Sequence, residues 1–184
     1  MAVTTQHSTL TGPELHEPKG ADTASANEVF VADGSGSGSF QSISAYGGWA
    51  YNSTSSGGAT LITPTAYTLV APVTAASNLK GFTHNSLGRL TYTGVASRRV
   101  SLLFTLGLSS TVGGNTFVAL FKNGSILGSP NYEVAIRTGT TKLTTTLISD
   151  DVATTNDYYE LYIKLSAGDV VVSHAYANIT SVPI

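Results

Sequence analysis

The chain has 184 residues, no cysteine and a formal net charge of −2, and only 11% of its residues are charged. Disulfides and thiolate chemistry are therefore excluded, and a surface with so few charges has no basic patch for nucleic acid. The first residues lack the basic and apolar regions of a signal peptide, and no apolar run reaches the ~20 residues of a membrane-spanning helix, so we expect neither that export route nor a membrane partner.

The first part of the chain, residues 1–32, predicts an extended polar arm. Pro13 and Pro18 each remove a backbone donor and fix φ, which opposes a continuous helix. The stretch from Glu28 to Ala32 has the composition of a short strand. The next residues, 33–39, read DGSGSGS, a composition that predicts a flexible linker.

The remainder, residues 40–184, predicts one domain of short antiparallel strands. From Val100 to Leu108 every second residue is apolar, with Leu103 as the exception, so one strand face is predicted to be buried. Asn123-Gly124 lies between apolar segments and predicts a hairpin, because both turn positions need positive φ. Eight or more strands joined by Gly and Asn turns predict a sandwich or jelly roll. Further strands are predicted in the same strongly patterned region at 132–136, 143–148, 159–165 and 170–179, and weaker patterns upstream predict strands at 60–62, 67–70, 82–84 and 89–93.

The order of the later segments resembles the C1q/TNF-like jelly roll. The segments GRLTYTG, RRVSLLFTLGLSS, FVALFKNGSIL and LYIKLSAGDVVVSHAYANI follow one another as in that family. Asn123-Gly124 matches the hairpin after the central strand, and Gly168-Asp169 leads into the last strand. The resemblance covers about residues 45 to 184. It implies an all-β, antiparallel jelly-roll sandwich that is preceded by the extended N-terminal arm.

The N-terminal segment LTGPELHEPKGADTASANEVFVADGSGSGSF resembles the virion-attaching segment of tailed-phage structural proteins. Together with a C1q/TNF-like head, it resembles phage fibres and phage head-decoration (cement) proteins. This implies a homotrimer at the virion surface, synthesised and assembled in the cytoplasm of the bacterial host. The expected virion-anchoring residues are Leu10, Glu14, Leu15, His16, Glu17, Lys19, Val29 and Phe30.

Two functions are compared. The first is a homotrimeric capsid-decoration protein, which binds the phage capsid or another virion protein through residues 1–32. The alternative is the receptor-binding tip of a tail or head fibre, which contacts a host glycan or protein through loops 52–58, 111–115 and 137–141. The sequence has no heptads, repeats or collagen-like triplets that would form a shaft, and this favours decoration.

Catalytic, metal and cofactor motifs are missing from the sequence. His16 stands between two glutamates without the HExxH spacing of a zinc helix. Gly-x-Ser-x-Gly occurs only inside residues 33–39, without the strand and helix of a nucleophile elbow. Asp150-Asp151 is expected to form a turn after a strand. We therefore predict a non-enzymatic protein without a metal or cofactor.

Tyrosines stand at positions opposite the apolar alternation of the last two strands. Two interpretations remain open from the residues alone. These rings complete the protomer core from the other sheet, or they form a subunit interface, where tyrosine buries area and keeps a polar tip. The resemblance to trimers favours the second. The predicted trimer-interface residues are Tyr158, Tyr162, His174 and Tyr176.

Overall fold

The computed structural model describes residues 23–24, 28–32, 35, 38–42, 44–52, 59–61, 66–70, 75–76, 78–110, 112–127, 133–138 and 143–183. Its regular elements are β-strands, and no helix in the described ranges is long and apolar enough to cross a membrane. The strands are β1 (Glu28–Ala32), β2 (Gly38–Ser42), β3 (Tyr46–Asn52), β4 (Ala59–Leu61), β5 (Thr68–Leu69), β6 (Ala75–Ala76), β7 (Phe82–His84), β8 (Leu90–Tyr92), β9 (Arg98–Ser110), β10 (Gly114–Lys122), β11 (Ser125–Ile126), β12 (Glu133–Thr138), β13 (Leu143–Ala153), β14 (Tyr158–Leu165) and β15 (Val170–Pro183).

Residues 1–43 form a compact unit whose described strands are β1 and β2. These strands pair antiparallel, and Phe30 lies opposite Phe40 with an edge-to-face ring contact at 5.5 Å between centroids. Val29, Phe30 and Val31 are all exposed. Because successive strand residues point to opposite faces, both faces of this hairpin carry exposed apolar side chains. A two-stranded hairpin is marginally stable by itself.

The predicted strand at 28–32 is confirmed. Residues 38–39 were predicted to belong to the linker and residues 40–42 to the head. The structure instead pairs both stretches with β1, and the second unit begins at Ser44. Apolar side chains, such as Phe30 and Phe40, contact each other across the two segments and favour their pairing. The glycine-rich connection between the segments did not indicate this pairing. The expected anchors from Leu10 to Lys19 lie outside the described residues.

Residues 44–184 form the second unit, in which two antiparallel sheets carry the strands. Sheet I has the order β13-β9-β15-β3-β6, and β4 also pairs with β15. Sheet II has the order β11-β10-β14-β8-β7, with β12 on β10 and β5 on β14. From β8 to β15 the chain passes repeatedly from one sheet to the other. This connectivity is that of a jelly roll, so the predicted all-β antiparallel sandwich is confirmed.

The core lies between the two sheets and follows the predicted alternation of β9. Val100, Leu102, Phe104, Leu106 and Leu108 are buried, whereas Leu103 is exposed on the other face. Burial of each such side chain stabilises the fold by roughly 1.5–3 kcal/mol. The single exception in the apolar alternation therefore marks an outward-facing leucine. Sheet II contributes further core residues, including Val118, Leu120, Leu161 and Ile163.

The expected turn at Asp150-Asp151 is wrong, because β13 continues through both residues to Ala153. The pairing of β13 with β9 extends as far as Ala153 opposite Arg98. The ladder bonds of this pairing hold the two aspartates in extended backbone. The chain turns afterwards, where the Asp157 backbone N–H donates to the Thr154 carbonyl at 2.9 Å.

The hairpin between β10 and β11 is the predicted one, with φ of 51° at Asn123 and 79° at Gly124. We expect Gly124→Val to lower the free energy of unfolding by about 1–2 kcal/mol, because a β-carbon is strained in this left-handed region. Ser125→Val is the matched control, since Ser125 is exposed and lies in the following strand. Thermal unfolding checks the prediction, and equal melting temperatures for the two variants would contradict it.

Candidate interaction face

The outer face of sheet I carries exposed apolar side chains on β13, β9 and β15. Ile148 of β13 lies directly opposite Leu103 of β9, and Ile148 is 56% exposed. Tyr176 of β15 and Val152 of β13 are exposed on the same face. We call Leu103, Ile148, Val152, His174 and Tyr176 the open face. Soluble monomers rarely leave a contiguous apolar patch uncovered, so these residues form a candidate interface.

Charge is almost absent from this surface. Among the described outward residues of β9, β13 and β15, Arg99 and Asp150 are the only Arg, Lys, Asp or Glu side chains. Both lie toward one end of the strands. The remaining outward positions hold uncharged residues, among them Gly107 and Asn178 as well as hydroxyl residues such as Thr105 and Thr146, whose Oγ1 atoms are 3.1 Å apart. The cores of protein interfaces are depleted of charge in the same way.

His174 lies flat against the open face because Gly107 has no side chain. A β-carbon at Gly107 would fall 2.1 Å from the imidazole Cε1. The His174 Nδ1 atom is 3.3 Å from the hydroxyl of Ser173, and its ring centroid is 6.0 Å from that of Tyr176. The glycine therefore lets this ring lie against the sheet instead of projecting from it.

The outer face of sheet II is different, because its aromatic rings pack on one another. Phe121 contacts Tyr162 with centroids 4.1 Å apart and contacts Tyr67 at 5.3 Å. The Lys164 Nζ lies 4.5 Å from the centroid of Tyr67. Ala119, at the centre of this face, is fully buried. Sheet II thus covers its own outer surface.

An ion pair between a partly exposed arginine and a buried glutamate completes this packing. The Arg89 Nε donates to the Glu160 Oε1 at 2.8 Å, and Glu160 is almost fully buried. The Arg89 guanidinium also stacks over the Tyr158 ring at 3.9 Å. The Tyr162 hydroxyl donates to the Glu160 Oε2 at 3.3 Å. Burial and the neighbouring Glu160 carboxylate raise the pKa of Tyr162, so its phenol keeps the proton that it donates.

The structure separates the four predicted interface residues into two pairs. His174 and Tyr176 lie on the outer face of sheet I, whereas Tyr158 and Tyr162 lie on that of sheet II. Local alternation placed each residue on an outward face but could not show which sheet its strand joins. Sequence reasoning missed Leu103, Ile148 and Val152 as surface residues. Their signal was apolar side chains at outward positions of the alternation.

A polar cluster joins the two sheets at one end of the sandwich. The Lys122 Nζ of sheet II lies 2.7 Å from the Asp151 Oδ2 of sheet I and 2.9 Å from the Asp157 Oδ2. The Tyr159 hydroxyl donates to the same Asp151 oxygen at 2.7 Å. Hydrogen bonds to both carboxylates raise the pKa of Lys122 against the opposing effect of burial. The ammonium therefore stays charged between them.

Asp157 is the most strongly perturbed acid of this cluster. Its burial by itself would raise its pKa, but hydrogen bonds from Thr154, Asn123 and Lys122 outweigh burial and lower the pKa from 3.8 to about 2. The Asn123 Nδ2 donates at 2.7 Å and the Thr154 backbone N–H at 2.8 Å. In the described residues, no three His, Asp or Glu side chains form a group that could hold a metal.

Comparison with known proteins agrees with the fold. No family model and no curated protein matches the sequence. Similar solved structures include the PRD1 vertex protein P5, at 14% identity and a TM-score of 0.51, covering 78% of this chain and 100% of that one. Eiger TNF from S. frugiperda is 11% identical with a TM-score of 0.49, covering 76% and 92%. Murine APRIL is 8% identical with a TM-score of 0.44, covering 74% and 99%.

The lowered pKa of Asp157 predicts a loss of stability in acid. Its carboxylate is stabilised in the folded state, so its contribution of about 2 kcal/mol is complete above pH ~4 and is lost as the pH falls toward ~2. We expect Asp157→Asn to unfold more easily at neutral pH and to lack this part of the acid dependence. Asp150→Asn, at an exposed position, is the control. Urea unfolding from pH 7 to pH 2 measures the effect. Equal free energies of unfolding for the two variants across this range would contradict the prediction.

Proposed function

We propose that the protein is a non-enzymatic structural protein of a bacteriophage virion, and that it self-associates through the open face. The observation that carries the proposal is the contrast between the two sheets. Sheet II covers its outer surface with Tyr67, Phe121 and Tyr162, whereas sheet I leaves Leu103, Ile148 and Tyr176 exposed. The occupant that fits a nearly uncharged, partly apolar sheet is another surface of the same kind.

A second copy of this chain is the proposed occupant. Only 11% of all residues are charged, so other surfaces of the chain are also suited to contact with an uncharged face. A cyclic trimer brings two different patches of neighbouring subunits together. The open face would then meet a surface other than itself. His174 and Tyr176 are retained as interface residues in this proposal, and Tyr158 and Tyr162 stabilise the subunit that presents them.

The N-terminal unit is proposed to attach the trimer to the virion. Val29 and Phe30 are exposed on a hairpin that is marginal by itself. Docking on a capsid protein would bury these side chains, and the expected anchors between Leu10 and Lys19 would extend the contact. Three such units on one trimer bind with a high effective concentration. The similarity of the fold to a protein named as a vertex protein supports a place on the particle surface.

Capsid decoration is the role that this arrangement serves best. The proteins that the sequence resembles include fibre tips as well as cement proteins. Of the loops expected at such a tip, residues 53–58, 111 and 139–141 lie outside the described residues. A trimer that carries short arms on a compact head clamps a shell without requiring a shaft. We therefore propose a homotrimeric decoration protein that is held on the shell by its N-terminal unit.

The open face generates a prediction about assembly. We expect the parent protein to be a trimer by light scattering at micromolar concentration. Ile148→Glu should shift it toward monomer, because a charge buried in an apolar interface lacks a partner. Val95→Glu is the matched control, since Val95 is 96% exposed and lies in a bend between β8 and β9. A monomeric parent, or equal masses for the two variants, would contradict the proposal.

The division of the chain generates a prediction about attachment. We expect a protein that starts at Ser44 to fold and self-associate but to lose virion binding, because residues 44–184 contain both sheets of the sandwich. Co-sedimentation with particles that lack the protein measures the attachment of truncated and full-length chains. Val29→Asp with Phe30→Asp in the full chain should reduce binding in the same way. Equal co-sedimentation of all forms would assign attachment to the sandwich.

A further inference from the structure

The edge of sheet I next to the open face contains a shallow depression of 270 Å³. It lies where β3 pairs with β15 and where the segment before β7 passes β3. Its lining has no Arg, Lys, Asp, Glu or His among the described residues. The lining residues are Tyr46, Gly47, Gly48, Asn78, Ala177 and Asn178.

The floor of the depression is fixed by the backbone. Gly48 lies opposite Asn178 in the ladder between β3 and β15, at a position that faces outward. A β-carbon at Gly48 would fall 2.5 Å from the Ala177 carbonyl oxygen. A side chain at Gly48 would therefore force the two strands apart, and its absence leaves the gap in the outer face open.

The walls of the depression are also held in place. The Tyr46 N–H donates to the Lys80 carbonyl at 2.8 Å, and the Lys80 N–H donates to the Tyr46 carbonyl at 2.8 Å. This two-way bridge fixes the backbone that carries the exposed Tyr46 ring. Asn78 has a φ of 48°, in the left-handed region that few residues other than glycine adopt. Strained backbone of this kind persists where the surrounding structure holds it.

We infer that this depression is a binding site for a neutral sugar ring. An aromatic ring offers a face for the apolar C–H surface of a sugar, and the amides of Asn78 and Asn178 each offer donors and an acceptor for its hydroxyls. The uncharged lining favours a neutral hexose over an acidic or phosphorylated one. Pockets for drug-sized ligands measure about 300–1,000 Å³, so this smaller depression holds a single ring.

Such a site is expected to bind a single sugar weakly, and several sites that act together would raise the apparent affinity. Its opening is shallow, so a Kd on the order of 1 mM is expected for one ring. Several copies of the protein on one particle would raise the apparent affinity for a glycan-covered surface. All the lining residues belong to one chain, but Asn178 lies opposite Leu103 of the open face, so a second copy on that face would compete with the sugar, and sugar binding is therefore measured in an Ile148→Glu background.

Saturation-transfer NMR with a panel of methyl glycosides of glucose, galactose, mannose and N-acetylglucosamine tests the site in the full-length protein. We expect saturation transfer to at least one glycoside. Tyr46→Ala and Asn178→Ala should each raise the Kd about tenfold or more. Tyr46→Phe should retain binding because the ring face remains. Asn115→Ala, at an exposed asparagine of sheet II, should bind as the parent does.

Three results would overturn the inference. The first is the absence of saturation transfer to every glycoside of the panel. The second is unchanged binding in Tyr46→Ala, which would move the sugar to another surface. The third is equal weakening by Asn178→Ala and Asn115→Ala, which would indicate a general effect of amide removal. Melting temperatures of the variants show that each is folded, since Tyr46 and Asn178 are exposed.

Discussion

The antiparallel ladder between β9 and β15 determines what each face of the sandwich presents. It runs from Val170 opposite Ser110 to Pro183 opposite Arg98. Side chains alternate along both strands, so a slip of one residue would exchange the core with the surface. The ladder itself contains one such change, because the register shifts between Val172 and His174. Val172 points into the core before this bulge, and Ala175 does so after it.

The bulge explains why the histidine and the tyrosine face outward together. If the alternation continued through Ser173 without the bulge, the face that holds Val170 and Val172 would also hold His174 and Tyr176. The Ser173 hydroxyl donates to the Gly107 carbonyl at 3.2 Å, so the irregularity is tied to the neighbouring strand. Bulges often re-aim side chains in this manner. The outward position of His174 and Tyr176 therefore depends on the bulge at Ser173 and on Gly107, which lies opposite His174.

Local patterns in the sequence predicted many of the strands and the Asn123-Gly124 turn, but they failed at Asp150-Asp151 and could not show the partner of each strand. The alternation of β9 and the Asn123-Gly124 turn were predicted, because each depends on residues close together in the chain. The assignment of β14 and β15 to different sheets depends on pairings with β10 and β9, at least 37 residues away in the chain. For this reason the sequence could not show that Tyr162 and Tyr176 lie on different sheets.

The hairpin of the N-terminal unit is a second case in which a local pattern did not reveal a strand pairing. The glycines and serines between Ala32 and Phe40 indicated a flexible connection, and composition alone could not show that Phe30 meets Phe40 across it. The pairing changes the conformational entropy that the N-terminal unit is expected to lose when it docks. A disordered segment loses conformational entropy along its whole length when it docks, whereas a formed hairpin has already lost part of that entropy. Its exposed valines and phenylalanine can then contribute more of their burial to binding, which supports the proposed role of this short unit as an anchor.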